Sequence, residues 1–387
     1  MEKREIYLDN AATTRVLPVA IQQMTEVMEH AYGNPSSLHR KGQESEQYVR
    51  EARRDLADIL MVEPESIFFT SGATESSNTA ILGAAMKGHR RGNHILTSRS
   101  EHAATRECMK RLSDEGFEIE YIENDATGKI LLDDLAQKIR PDTLLVSVLF
   151  VNNETGCVNP IREMGKLIHE KAQDCLFHVD AVQGFTKYPL YPGRWQIDLM
   201  SVSAHKIGGP KGVGLLYVKR GLPLPSLIVG GGQERGFRSG TENVPGIAGF
   251  AAAANAMWQE HETLTANMQH LKEFLAEGLM RLPDIVINGP DCHEGAAHIL
   301  NFWVKGIRAE VLLHSLEDEG IYLSAGSACS SNGHAKSAAL EALGLTGAAL
   351  EESVRVSFGR ENTKEDVEAL LTVLQKCLPL LRRFVRK

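Results

Sequence analysis

With 387 residues, a net charge of −8, 43% hydrophobic and 24% charged residues, the chain has an ordinary globular composition and room for two domains. The negative balance argues against non-specific nucleic-acid binding, which needs cations to displace counterions. MEKREIYLDN does not read as a secretory signal, LLVSVLFV is far short of the roughly 20 residues that span a bilayer, and Cys108, Cys157, Cys175, Cys292, Cys329 and Cys377 form no CxxC pair or zinc-like spacing. A cytoplasmic protein with free thiols, no membrane segment and no metal is expected.

Strand-like and helical patterns alternate, which predicts an α/β fold with a mainly parallel sheet. YLDNAATT is a short extended piece ending in a polar turn. From Pro18, Ile21, Met24, Val27 and Met28 repeat at helical spacing, and a charge-rich helix follows the break at YGNPSS and runs to about Leu60. SIFFT, HILTS, TLLVSVLFV, CLFHVDAVQ, DLMSVSA and VGLLYV read as strands, with a helix from about Glu163 to Ala172 among them. A long helix from Trp258 to Leu282, stopped by Pro283, is expected to join two domains. IVING, AHILNFWV, IYLSAG and SVRVSF then form a smaller α+β unit, and Thr363 with Asp366 reads as a capping pair.

Several strands end in reactive or polar residues. SGATESSN opens a helix directly after a strand and suits an anion, with Ala73 and Thr74 in its first turn. His102 follows HILTSRSE, and Asn152, Asn153 and Glu154 follow the most apolar strand. Asp180 interrupts another apolar strand and needs a partner, either an arginine, a helix N-terminus or a protonated ring nitrogen. Lys206, with Ser203 and His205, lies where DLMSVSA meets the glycine-rich turn HKIGGPKG, a position suited to imine chemistry. LIVGGGQERGFRSGTEN suits close backbone contact with an anion. In the smaller unit, Cys329 lies among small polar residues, where a thiolate is accessible. Arg355, inside a short apolar strand, either neutralises a buried acid or awaits a carboxylate that it can grip through two hydrogen bonds. Cys175 and Cys377, beside Leu, Phe and Pro, read as buried thiols.

Strand ends carrying Thr74, His102, Asn153, Asp180, Ser203, His205 and Lys206 should converge at one sheet edge, where open α/β folds bind ligands. A lysine, an aspartate and hydroxyls are the groups that pyridoxal phosphate requires. In GNPSS, TSGATES, SEH, VNNETG, HVDAVQ, SAHKIGGPKGVG, GGGQERGFRSGTEN and SAGSACSS, the sequence resembles the cysteine desulfurases of the NifS/IscS type, within the fold-type-I pyridoxal-phosphate enzymes.

The resemblance implies a large domain over 12–257 with a mainly parallel seven-stranded sheet, and a small α+β domain from 1–11 and 258–387 carrying a mobile cysteine loop. It implies that Lys206 binds pyridoxal phosphate and moves the substrate proton, and that Asp180 holds the ring nitrogen protonated. His102 would stack on the ring, Gln183 would bond its hydroxyl, and Ala73, Thr74, Ser203 and His205 would hold the phosphate. Thr241 would reach the phosphate of the other subunit of a homodimer. Arg355, with Asn153 and Asn34, would bind the carboxylate of L-cysteine. Cys329 would take the sulfur as a persulfide, leave alanine, and pass the sulfur to an acceptor protein for iron–sulfur cluster assembly or for tRNA or cofactor thiolation.

Two departures stand out: Ala204 replaces the usual glycine, and HAKS at 334–337 replaces an LEPS-like turn. The rivals are a selenocysteine lyase, an aminotransferase of the same fold and a non-catalytic scaffold. A dinucleotide-binding dehydrogenase is disfavoured because no GxGxxG follows the first strand.

Overall fold

The computed structural model describes residues 4–325 and 337–383. After β1 (Ile6–Tyr7) the chain forms α1 (Pro18–His30) and α2 (Arg40–Leu60), then β2 (Ile67–Thr70), α3 (Ala73–Gly88), β3 (His94–Ser98), α4 (Ala103–Asp114), β4 (Glu118–Ile122), α5 (Leu132–Lys138) and β5 (Thr143–Leu149). There follow α6 (Ile161–Lys171), β6 (Leu176–Asp180), β7 (Leu199–Ser203) and β8 (Gly214–Val218), then α7 (Val244–Gln259), α8 (His261–Met280), β9 (Ile285–Asn288), β10 (Ile299–Val304), α9 (Ala309–Glu317), β11 (Ile321–Tyr322) and β12 (Ser324–Ala325). The chain closes with α10 (Ala338–Ala342), α11 (Ala348–Glu351), β13 (Ser353–Ser357) and α12 (Lys364–Arg382).

Seven strands form one sheet in the order β2-β8-β7-β6-β5-β3-β4, parallel except for β8, which runs against both neighbours. The expected α/β architecture is therefore present. All seven residues of β5 are buried, as its unbroken apolar run predicts for a strand covered on both faces. His178 ties three strands together beneath the functional edge, Nδ1 to Ser147 Oγ (2.8 Å) and Nε2 to Ser201 Oγ (2.9 Å). Burial brings its pKa down to about 3, so it is neutral and structural. One hydrophobic cluster runs from Ile6 to Leu378 through both halves of the chain, and a second lies around α3 and α4.

The four-stranded sheet β12-β13-β10-β9 is antiparallel, and β1 pairs in parallel with β11. IYLSAG is thus two strands in two sheets, changing partner at Leu323. The expected long helix from Trp258 to Leu282 is present as α8, and α7, which the sequence pattern did not show, precedes it. Glu260 (φ −109°, ψ 8°) separates α7 from α8, and Trp258 stacks on His261 at 3.9 Å across the break. Ten of the sixteen residues of α7 are buried, so it lacks the one-sided periodicity that marks a surface helix. Thr363 and Asp366 make the expected reciprocal cap on α12. Among the described residues no helix is long and apolar enough to cross a membrane.

Candidate active site

The site forms where β2, β3, β5, β6 and β7 end on the same edge of the sheet. Asp180 is the last residue of β6 and is 3% exposed. Among the described residues its carboxylate receives one hydrogen bond, from Val182 N (3.1 Å), and meets no arginine. Burial pushes its pKa up, outweighing the lowering influence of His102, the Val182 N–H and Lys206. A carboxylate placed so lacks the donors that normally accompany burial.

Lys206 closes a short 3-10 turn, Ala204–Lys206, after β7. Its Nζ donates to the carbonyls of Ala11 (2.8 Å) and Ala12 (2.6 Å), in the polar turn after β1. Gln183 Nε2 donates to the same Ala11 carbonyl at 2.9 Å, so the lysine and the glutamine meet there. Thr14 is stitched to the other side of the turn: its N–H and hydroxyl both donate to His205 O at 2.9 Å, and Gly208 N donates to its Oγ1 at 2.7 Å. The methyl of Ala204 is fully buried. A Cβ at Gly209 would stand 2.8 Å from it, so the small residue at 209 makes room for the extra carbon at 204.

His102 caps α4, its Nδ1 accepting from Ala104 N (3.2 Å). That bond fixes an unprotonated Nδ1, in line with a pKa lowered by burial and by the nearby cations Lys206 and Arg106. Thr74 lies in the first turn of α3, whose N-cap Gly72 (φ +151°) offers no side chain to the leading N–H groups. A Cβ on Gly72 would lie 3.7 Å from Ser203 Oγ, which places the helix start beside Ser203. Glu75, in the same turn, would repel an anion, but Arg238 grips it at 2.9 and 3.2 Å. Burial raises the Glu75 pKa; its bonds to Arg238 and Ser71 outweigh that and lower it. His205 is pushed down to about 4, by burial first and then by Lys206 and Lys211, so it presents a neutral imidazole.

Arg355, on β13, is 3% exposed and bridges the two sheets. It donates to Asn153 O (2.8 Å) and to Asp9 Oδ1 (2.7 Å), while its Nε has no partner among the described residues. Of the two alternatives for this residue, the ion pair with Asp9 is present in the structure. Asn152 supports the same turn by donating to Ser100 O (3.0 Å) and accepting from Glu154 N and Thr155 N. Ser337 donates to Glu154 Oε2 at 2.5 Å, and Ser324 of β12 pairs with Arg355.

The family model for class-V aminotransferases matches residues 6–370. The chain is 40% identical over 381 residues to the cysteine desulfurase IscS of Methanosarcina thermophila, covering 98% of this chain and 94% of that protein. A solved NifS-like protein superposes with a TM-score of 0.92 at 37% identity, over 98% of this chain and all of the other. The chain belongs to the cysteine desulfurase branch of the class-V aminotransferase family. A third relative, solved as SspA in complex with cysteine, matches at 31% identity and a TM-score of 0.79, over 91% of this chain and 98% of its own.

For a desulfurase chain, the structure gathers Ala73, Thr74, His102, Asp180, Gln183, Ser203, His205 and Lys206 at one edge, and sets Asn153 against Arg355 nearby. Two expected residues stand apart. Asn34 is exposed, its carboxamide accepting from Ser36 N (2.9 Å), and Thr241 is exposed with no hydrogen bond to the others. Cys329 lies outside the described residues.

The sequence reading missed four participants. Asp9 and the Ala11 and Ala12 carbonyls sit in YLDNAATT, whose polar turn gave no sign of holding Arg355 and Lys206. Glu101, beside His102, is 1% exposed and accepts from Ser98 Oγ (2.5 Å) and Leu149 N (3.0 Å), while its Oε2 has no partner among the described residues. Burial pushes its pKa up to about 8. A glutamate directly before an expected site histidine was the available signal.

Proposed function

We propose that the protein removes sulfur from L-cysteine, yields L-alanine and carries the sulfur on Cys329 for transfer to an acceptor protein. The observation that carries this reading is Asp180: a buried carboxylate with one backbone hydrogen bond, opposite Lys206 and His102. Such a group fits a cationic ring N–H, and the first turn of α3, which has no side-chain cap and lies beside Ser203, fits a phosphate. The residues therefore suit pyridoxal phosphate, which supplies, when bound, an electron sink for negative charge at the substrate α-carbon.

In this reading Lys206 holds the cofactor and, once substrate is bound, moves the proton at the α-carbon. Asp180 keeps the ring nitrogen charged, the His102 imidazole covers the ring, and Gln183 bonds its hydroxyl. Ala73, Thr74, Ser203 and His205 take the phosphate. Arg355, with Asn153, orients the α-carboxylate of cysteine. The Cys329 thiolate attacks the substrate sulfur: its electron pair forms the S–S bond, and the pair of the broken C–S bond stays with carbon, which is protonated and released as alanine. The described chain leaves β12 at Ala325, four residues before Cys329, a separation of at most about 14 Å of extended backbone from a strand paired with Arg355. Thr241, exposed and away from the other phosphate residues, would reach the phosphate of the other subunit of a homodimer, and the exposed apolar side chains Ile21, Met28, Tyr32 and Leu38 of the neighbouring N-terminal segment are in keeping with a partner.

Alanine and sulfide released from L-cysteine in the presence of a reducing thiol test the reading. The wild type should form both in equal amounts, and Cys329→Ser should form neither while keeping its bound, yellow cofactor. A yellow wild type that releases no alanine from cysteine overturns it.

A further inference from the structure

Gln183 is the residue set above against the ring hydroxyl of the cofactor, and its carboxamide is held at both ends. Nε2 donates to Ala11 O (2.9 Å), and Oε1 faces His298 Nε2 at 3.3 Å. A carbonyl can only accept, so the nitrogen end of the amide must point at Ala11 and the oxygen end at the imidazole. Of the two N–H groups on Nε2, one goes to Ala11 and the other has no partner among the described residues. A donor is thus left over on a side chain 3% exposed, three residues after Asp180, the last residue of β6.

His298 comes from the other half of the chain, directly before β10, and its backbone is fixed by Phe358 N, which donates to His298 O at 2.9 Å. The ring is 1% exposed. Among the described residues Gln183 is its one hydrogen-bonding partner, and Nδ1 has none. Since Gln183 presents an oxygen, the ring proton is on Nε2 and the imidazole donates. Burial first, and then the charges of Lys187, Lys272 and Arg355, hold its pKa well below the ordinary value. None of those three is the lysine assigned to the cofactor, so the loaded protein keeps them all. The ring therefore stays a neutral donor with one N–H through the neutral pH range.

We propose that His298 is a positioning residue for the cofactor's ring hydroxyl: by donating to Gln183 Oε1 it fixes the carboxamide so that the spare N–H is offered to the ring oxygen. The inference rests on the role given to Gln183 above. Without the imidazole, Oε1 is a buried acceptor with no donor, and the amide is free to turn about its last bond. Ala11 O still opposes a full reversal, so losing His298 loosens the donor, whereas losing Gln183 removes it. The consequence is spectroscopic. The yellow absorbance of the bound cofactor is lost when the nitrogen joining it to Lys206 gives up its proton, a proton shared with the ring oxygen. A donor on that oxygen favours the loss, and a weakened donor moves it to higher pH.

A spectrophotometric pH titration of the pyridoxal-phosphate-saturated protein, without substrate, tests this. Gln183→Leu should raise the midpoint by about one pH unit or more, and His298→Phe, which fills the space of the ring without a donor, by about half a unit. His298→Gln, whose amide N–H stands where Nε2–H does, should bring the midpoint back to within about 0.2 units of wild type. His298→Leu, with the same expected shift as His298→Phe, carries the test if the larger side chain prevents folding. A midpoint unchanged in His298→Phe and His298→Leu, while Gln183→Leu moves it, overturns the proposal and leaves the role of Gln183 standing. A shift that His298→Gln does not correct assigns His298 to packing and overturns it as well. A midpoint unchanged in Gln183→Leu removes the role of Gln183 itself, and the proposal with it.

Discussion

Two buried aspartates at opposite edges of the central sheet have opposite fates. Asp198, just before β7 at the amino edge, accepts from Phe177 N (2.9 Å) and Lys219 Nζ (2.8 Å) and lies 3.2 Å from His169 Nε2. Burial works to raise its pKa, but His169, Lys219 and the Phe177 N–H outweigh it and lower the pKa below the ordinary value. Asp180, at the carboxyl edge, has one backbone donor and a raised pKa. Both are at most 3% exposed, so burial alone does not separate them. The amino edge is built to be satisfied by the protein itself, and the carboxyl edge is left for something the protein binds.

The largest break in this contrast should come from the carboxyl edge. Lys206→Ala should lower alanine formation from L-cysteine by about 10⁴-fold or more, since it removes both the cofactor attachment and the proton carrier. Asp180→Asn should cost about 10³-fold, with unfolding of the cofactor-free protein changed by less than about 1 kcal/mol. Asp198→Asn should do the reverse, costing about 2–4 kcal/mol in urea unfolding while the folded enzyme keeps most of its rate. A stability loss in Asp180→Asn equal to that of Asp198→Asn would remove the distinction. The acid limbs differ in sign. The Asp198 contribution is present above its unfolded pKa of about 3.9 and is lost as pH falls through its lower folded value. The raised pKa of Asp180 makes the cofactor-free fold less stable as pH rises above about 4.

The contrast was only half legible in the sequence. Strand ends bearing polar residues were visible at Thr74, His102, Asn153, Asp180 and Lys206, because an apolar run stopping at a reactive residue is a local signal. Its partner set was not visible: whether Asp180 would meet an arginine depended on side chains from elsewhere in the fold. The same limit hid Asp9, which is 346 positions from Arg355 in sequence yet 2.7 Å away in space. Helix α7 was missed for a different reason. The apolar residues of α7 face core on most sides and carry no period, so only the amphipathic half of the pair could be read.

Glu101 offers a smaller test at the same carboxyl edge. Its carboxyl accepts two hydrogen bonds on Oε1 but none on Oε2, and its pKa is pushed up to about 8 by burial. A raised folded pKa means that the native state holds a proton the unfolded chain has lost. Between about pH 4.5 and 8 the fold is therefore penalised increasingly as pH rises. Glu101→Gln removes that titration. Urea unfolding of the cofactor-free protein should show the variant gaining stability relative to wild type from pH 5.5 to pH 8. An unchanged difference across that range would mean that Glu101 is ionised in the native protein, and that the carboxyl edge satisfies it after all.

The smallest expected effect belongs to Asp9, where the two kinds of acid meet. Unlike Asp180, Asp9 has a full cationic partner. Unlike Asp198, that partner is the residue proposed to grip the substrate. The Arg355 guanidinium spends one donor on Asp9 and one on Asn153 O, so an incoming carboxylate shares a charge already partly neutralised. Asp9→Asn keeps the shape and removes the competing charge. The KM for L-cysteine should then fall by about threefold, a change of ~0.6 kcal/mol, with kcat little altered, the pattern expected when ground and transition states gain equally. A rise in KM instead would show that Asp9 serves mainly to aim the guanidinium. It would then count with Asp198 among acids whose work is finished when the chain folds.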